Sequence, residues 1–311
     1  MSALSPEATA RQGRHGGQGR HGSLAGALLI EARPKQWAKN VLVFAAPGAA
    51  GVLDNGDYLW RSMVIFVAFC MVSSGTYYWN DILDHEQDRH HPTKRFRPIA
   101  SGALPLGLAR IVGSVLLVGG IALAAVPRRE AALVAALYVV VTSLYSSVLK
   151  HIAVIDLVAV AAGFVLRAIA GAEATDVPMS TWFLLTTSFG SLFIVTGKRY
   201  AEIRELGDDG RTRATLEEYT PGFLRIVLSV SIGASLVAYC IWAFDTKELA
   251  GSTWPFYELS IVPMVTALLR YTLILEQGHG GAPEEIFAAD RTLQVLGVVW
   301  ALVFGLGVYV S

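Results

Sequence analysis

Residues 59–88 read LWRSMVIFVAFCMVSSGTYYWNDILDHEQD, an apolar run that ends in a dense group of acids. From Met63 to Asn80 no side chain carries a formal charge. A stretch of roughly 17–25 such residues is long enough to cross the hydrocarbon core of a bilayer as a helix. Its apolar residues are continuous rather than alternating, which argues against a barrel strand. The same pattern recurs along the chain. Nine runs fit it, at about 37–53, 59–79, 106–126, 131–149, 152–171, 180–197, 222–244, 256–275 and 292–310. Trp37, Trp60, Trp79, Trp182 and Trp254 lie near the ends of these runs, where interfacial aromatics belong. The expectation is an all-α, polytopic bundle of about nine transmembrane helices.

Composition agrees. Of 311 residues, 53% are hydrophobic and 16% are charged, whereas soluble domains carry about 25% charged residues. This excludes a disordered chain, a disulfide scaffold and an ordinary soluble enzyme. The 25 basic and 25 acidic residues cancel, so bulk charge points to no nucleic-acid partner. The distribution says more. Nineteen of the Lys and Arg fall on one side of the nine runs, in the N-terminal arm and the even-to-odd loops, and four on the other. By the positive-inside rule the N-terminus and the acidic helix end face the cytoplasm, as expected of a multi-pass protein of the plasma membrane. Residues 1–22 lack an apolar face and read as a disordered tail, either a basic arm near anionic lipid or, through RHGGQGRHG, a metal-binding tract. Residues 23–311 form one domain. Cys70 and Cys240 fall inside apolar runs as small core residues.

The acids beyond Trp79 carry the chemistry. With 100° per residue and Asn80 at zero, Asp84 falls at about 40°, Asp88 at about 80°, Asp81 at about 100° and Tyr77 at about 60°. Glu86 points away. Oxygen donors crowded on one face repel each other unless a proton or cation intervenes, and hard oxygen ligands suit Mg²⁺, whose shell substrate phosphates often complete. Lys94, Arg95 and Arg97 follow at once, the complement of a diphosphate. His85, His90 and His91 lack a zinc spacing.

Three further polar groups fall on the same side. Tyr145-Ser146-Ser147-Val148-Leu149-Lys150 closes the fourth run, with Lys150 either an interfacial anchor or a phosphate ligand. Asp156 and Arg167 sit eleven residues apart on the fifth, nearly in line, with Gly163 between them. An intramembrane Arg faces the bundle interior or a cavity, as part of an interhelical ion pair or as a substrate contact. Gly197-Lys198-Arg199-Tyr200-Ala201-Glu202 leaves the sixth run, with Lys198 and Arg199 at the exit as phosphate candidates. One acidic metal site and several separate basic groups suit a metal-bound diphosphate together with a second anionic substrate.

With Asn80-Asp81-x-x-Asp84-x-x-x-Asp88 and Arg97-Pro98-Ile99-Ala100-Ser101-Gly102 in place, the chain resembles the UbiA superfamily of intramembrane prenyltransferases, whose first motif is NDxxDxxxD followed by RPxxxG. It departs from most members at the sixth-to-seventh loop. There GKRYAEIRELGDDG replaces a second DxxxD, and Asp208 and Asp209 are adjacent. That loop, with RPKQWAKN at 33–40, HPTKRFRPIASG at 91–102 and LRAIAG at 166–171, resembles the branch that transfers phosphoribosyl from phosphoribosyl diphosphate to polyprenyl (decaprenyl) phosphate in arabinan and arabinogalactan precursor synthesis. The resemblance implies Mg²⁺ on Asn80 and Asp84, with Asp81 and Asp88 beside them as ligands or water holders and Asp81, Asp84 and Asp88 as the catalytic acids. It implies Lys39, Tyr77, Lys94, Arg95 and Lys150 around the donor, and Arg167, Lys198 and Arg199 around the lipid phosphate. Two other functions stand beside this one: prenyl transfer to an aromatic acceptor, and a non-enzymatic carrier with Asp156 and Arg167 on an ion path. Homo-oligomerisation is compatible with all three.

Overall fold

The computed structural model describes residues 23–206, 218–278 and 283–310. The N-terminal tail, Asp208 and Asp209 lie outside the described residues, as does the side chain of Glu205. No strand occurs among the described residues. The elements are α1 (Leu24–Ala32), a 3-10 segment (Pro34–Phe44), α2 (Ala45–Ala49), α3 (Gly56–Leu83), α4 (His85–His90), α5 (Leu106–Ala124), α6 (Arg129–Ser147), α7 (Ile155–Thr175), α8 (Thr181–Leu206), α9 (Pro221–Ala250), α10 (Phe256–Leu259), α11 (Ile261–Glu276), α12 (Pro283–Ala289) and α13 (Arg291–Tyr309).

Seven helices among the described residues are long and apolar enough to span: α3, α5, α6, α7, α9, the α10–α11 unit and α13. The count of nine is therefore not reproduced, and both differences have physical reasons. The run at 180–197 lies in α8, which has length to spare at 26 residues but is diluted by Thr181, Thr186, Thr187, Ser188, Ser191 and Thr196. The run at 37–53 is no single helix. Arg33 adopts a left-handed conformation (φ 53°) that ends α1, Pro34 opens eleven residues of 3-10 helix, and the five-residue α2 follows. Such backbone is tolerated at membrane depth only where protein encloses it. Here it packs on α3 and α7. The contact is close: a Cβ on Gly171 would lie 1.8 Å from the carbonyl oxygen of Val43.

Neighbours in sequence pack in space. α3 lies on α5, α6 on α7, α7 on α8, α8 on α9 and α11 on α13, while α7 also meets α3. α3 and α5 approach closely enough that a Cβ on Gly120 would come within 2.7 Å of Val72, the small-residue packing common between helices in lipid. Of these seven, α7 is the most enclosed, with 61% of its apolar stretch buried against 11% for α13. The outward faces are apolar: Ile111, Val115 and Val118 on α5, Leu133, Leu137 and Val140 on α6, Val295, Val298 and Leu302 on α13 are all exposed. Polar and charged groups are buried instead, among them Asn40, Asp81, Asp88, Asp156, Arg167 and Arg199. A greasy outside around a charged inside is the signature of a chain whose solvent is lipid.

Candidate active site

α3 has 28 residues, about 42 Å at 1.5 Å per residue, against a hydrocarbon core of about 30 Å. It is therefore longer than that layer, and its last turns carry Asn80, Asp81 and Asp84. The helix breaks at Asp84 (φ −89°, ψ 0°), and Asp88 belongs to α4, although its N–H still bonds the Asp84 carbonyl at 2.9 Å.

The four oxygen-bearing side chains divide into two pairs. Arg33 Nη2 donates to both oxygens of Asp81 at 2.8 and 2.7 Å. Arg97 Nη1 bridges Asp81 at 3.1 Å and Asp88 at 2.7 Å, and Lys94 Nζ stands 3.8 Å from Asp88. Both carboxylates are almost fully buried, at 5% and 4% side-chain exposure. They tie α1, α3, α4 and the Arg97–Gly102 turn into one ion network. Asp84 differs: its carboxylate is 37% exposed and meets Lys150 Nζ at 3.8 Å across the mouth. Asn80 and Asp84, one turn apart, thus keep oxygens available, and Lys150 approaches from the α6–α7 connection. No group of three His, Cys, Asp or Glu able to hold a metal occurs among the described residues.

Tyr77 receives the Arg33 guanidinium over its ring at 4.7 Å. Arg95 stacks on Phe96 at 4.8 Å rather than meeting the acids. Ser146 bonds back to the Thr142 carbonyl at 3.0 Å. Sequence reasoning missed Glu31. This residue is 1% exposed, and among the described residues no donor group meets either carboxylate oxygen. Burial, with Asp81 beside it, pushes its carboxyl up to about 8. An acid inside the otherwise apolar α1 was the available signal.

Deeper in the bundle, Arg167 and Asp156 belong to separate networks. Arg167 donates from Nε to Asn40 Oδ1 at 2.8 Å, from Nη1 to the Gly163 carbonyl at 2.6 Å, and from Nη2 to the Tyr138 hydroxyl at 2.8 Å. The rings of Tyr138 and Phe164 lie 4.7 and 5.6 Å from its carbon. Every one of these partners is neutral. Lys39 and Lys198 stand close enough for Lys198 and Arg167 to act on Lys39 as like charges, and Lys39 meets Glu284 of α12 only at 3.8 Å. Lys39, Arg167 and Lys198 are thus brought together as an interior of excess positive charge.

Arg199 is placed elsewhere. Its guanidinium is 6% exposed and donates to Asp156 at 3.3 Å, Glu202 at 2.9 Å and Tyr145 at 3.2 Å. Arg199, expected from the sequence beside Lys198 at a phosphate, thus already faces two carboxylates. Two hollows, of about 460 Å³ beside Lys247 and Glu258 and about 380 Å³ beside Glu173 and Asp176, lie at the opposite ends of α9 and α7 from the acids.

Comparison with known proteins matches this architecture. A model of the UbiA prenyltransferase family covers residues 41–308. A decaprenyl-phosphate phosphoribosyltransferase of Corynebacterium glutamicum is 42% identical over 293 residues, 93% of this chain and 88% of the relative. One of Mycolicibacterium smegmatis is 41% identical over 300 residues, covering 93% and 94%. In three dimensions, a UbiA homolog from Archaeoglobus fulgidus bound to DMAPP and Mg²⁺ superposes with a TM-score of 0.69 over 91% of this chain and 98% of its own, at 17% identity. Fold, motif and relatives agree along almost the whole length, and this chain belongs to the UbiA prenyltransferase family.

Proposed function

We propose that the chain transfers the 5-phosphoribosyl group from phosphoribosyl diphosphate to a polyprenyl phosphate, decaprenyl phosphate by analogy with its relatives, and releases pyrophosphate. The observation that carries this reading is the pairing of charges. Asn80 and the partly exposed Asp84 carboxylate stand at the mouth, with Lys150 3.8 Å from that carboxylate, while Arg167, Lys39 and Lys198 form an interior cationic group that calls for an anion from outside the chain. The two regions suit two anionic substrates, a soluble diphosphate at the mouth and a phosphate carried on a lipid.

Mg²⁺ fits the mouth as the donor set stands. It usually takes one or two carboxylates and completes its shell with water and substrate phosphates. Asn80 and Asp84 supply such a pair. Asp81 and Asp88, whose oxygens face Arg33, Arg97 and Lys94, instead hold the Arg97–Gly102 turn against α3 and keep Lys94 at the rim. Bound there, Mg²⁺ supplies neutralisation of the charge that gathers on the departing diphosphate.

Lys94 and Lys150 orient the diphosphate from opposite sides of the mouth and share that electrostatic work. Arg167 presents a permanently charged, planar donor set to the lipid phosphate. An oxygen of that phosphate forms the new bond to the anomeric carbon of the ribose as the bond to the diphosphate oxygen breaks. The acceptor is already ionised, so no proton must be removed and no histidine base is required. Attack opposite the leaving group inverts the anomeric carbon. The exposed apolar faces along α5, α6 and α13 leave the polyprenyl tail in the bilayer, and the mouth faces the cytoplasm at the plasma membrane by the charge bias of its loops.

The test supplies purified protein in lipid nanodiscs with Mg²⁺, decaprenyl phosphate and phosphoribosyl diphosphate, and follows pyrophosphate release. Turnover that appears only with a prenyl diphosphate and an aromatic acceptor overturns the reading.

A further inference from the structure

A strained residue and a buried tyrosine meet where α6 turns into α7. Val154 has φ 69° and ψ −47°, an outlying conformation for a β-branched residue, and it is the last residue before α7. Such a conformation persists only where its surroundings enforce it. Here the enforcement comes from the far side of the α8–α9 loop. The hydroxyl of Tyr219, a residue otherwise 3% exposed, accepts the Val154 N–H at 2.5 Å and donates to a carboxylate oxygen of Asp156. The other oxygen of Asp156 receives Arg199, which also reaches Glu202 and Tyr145. One buried node thereby joins α6, α7, α8 and the residue pair that leads into α9.

The connection held by this node is short and stiff. A 3-10 turn spans Leu149–His151, and the amides of His151, Ile152 and Asp156 bond Val148, Leu149 and Ile152 at 3.1, 3.1 and 3.0 Å. Val154 therefore fixes the angle between that turn and α7. The turn carries Lys150, which faces Asp84 at 3.8 Å. The aromatic body of Tyr219 has its own support, stacked on Phe223 with centroids 5.9 Å apart and planes within 8°.

We infer that Tyr219 is a positioning residue for the donor diphosphate: through the Val154 amide and Asp156 it latches the α6–α7 turn so that Lys150 stands opposite Asp84. This rests on the reading of Lys150 as a donor ligand, and the experiment separates the two claims. Tyr219→Phe removes the hydroxyl and keeps the stacked ring, so the bundle retains its packing. Full-length protein in nanodiscs is compared as wild type, Tyr219→Phe, Lys150→Ala and the double variant, with two measurements on each.

Amide hydrogen exchange over residues 148–158, with no substrate present, reads the latch directly, and Tyr219→Phe is expected to accelerate it. Steady-state turnover reads the consequence. Losing a bond that leaves buried partners unsatisfied is expected to raise KM for phosphoribosyl diphosphate roughly five- to tenfold, with kcat and the KM for decaprenyl phosphate little changed. In the Lys150→Ala background the same substitution is expected to shift KM less than about twofold, because both changes act on one contact. Unchanged exchange overturns the latch. Equal KM factors in both backgrounds overturn its action through Lys150. Wild-type protein that ignores phosphoribosyl diphosphate overturns the proposed reaction instead, and the inference falls with it as far as Lys150 is concerned, while exchange still decides the latch.

Discussion

Arg167 and Arg199 are both buried arginines in the interior of a membrane bundle, and they are compensated in opposite ways. Arg199 faces Asp156 and Glu202, whose two carboxylates cancel its charge. Arg167 is held as firmly, by Asn40, Gly163 and Tyr138, but only through neutral groups. Removing charge from water is costly unless a counter-charge is present, so a guanidinium oriented by dipoles alone is preorganised for an anion from outside the chain. The same distinction divides the acids of the mouth. Asp81 and Asp88 are matched by Arg33 and Arg97, whereas Asp84 retains exposure and faces Lys150 at longer range.

The sharpest way to break this contrast is to delete each arginine. Arg199→Ala leaves Asp156 buried beside Tyr219 without its cation, and breaking such a pair is expected to cost about 3–5 kcal/mol, read as a large fall in thermal unfolding temperature. Equal thermal losses for Arg199→Ala and Arg167→Ala would erase the distinction. Next in size, Asp84→Ala is expected to lower kcat for pyrophosphate release at least about a hundredfold, about 2.7 kcal/mol, with little change in unfolding. Unaltered transfer at saturating Mg²⁺ would remove Asp84 from the metal site. Arg167→Ala is expected to raise KM for decaprenyl phosphate about tenfold, about 1.4 kcal/mol, and to leave the donor KM nearly constant. A donor-side effect would move Arg167 to the other substrate.

The effect that is smallest within any one pH unit concerns Glu31. Its carboxyl titrates at about 8 in the folded chain against an ordinary value of 4.5. Between those values the folded state holds more proton than the unfolded one, so stability falls as pH rises through that window, by at most about 1.4 kcal/mol per pH unit. Glu31→Gln is expected to flatten the dependence and to melt above the wild type at pH 8. Parallel pH profiles for the two proteins would show that Glu31 ionises without cost.

Much of this molecule is legible in one dimension because a helix is a local object. The apolar runs, the shared arc of Asn80 and Asp84, and the cationic exit at Lys198 all follow from spacing within one segment. What spacing misses is the choice of partner across segments. Asp156 and Arg167 nearly align on α7, yet Asn40, 127 positions away, takes the arginine, and Arg199, 43 positions away, takes the aspartate. Likewise Arg33 reads as one more charge in a basic arm, although it spans 48 positions to close on Asp81. The run at 37–53 misleads for a different reason. Its apolar content is that of a span, but Pro34 and the enclosing helices select a tighter coil.

That tighter coil works as a keyed shaft. With three residues per turn, Trp37, Asn40 and Val43 line up along one edge. Trp37 engages Ser74 at 3.0 Å, Asn40 engages Arg167, and Val43 seats its carbonyl where only Gly171 leaves room. An α-helix would fan the same three residues round by about 60° at each step and engage one of them at most. Away from Trp37, Lys39 and Asn40 the segment therefore tolerates changes of side chain, but almost no change of length. One inserted or deleted residue would turn every key by a third of a revolution, withdrawing Asn40 from the deep arginine and Trp37 from α3 together. Orthologous chains that keep this coil are expected to vary at positions other than Trp37, Lys39 and Asn40 and to share its spacing without gaps.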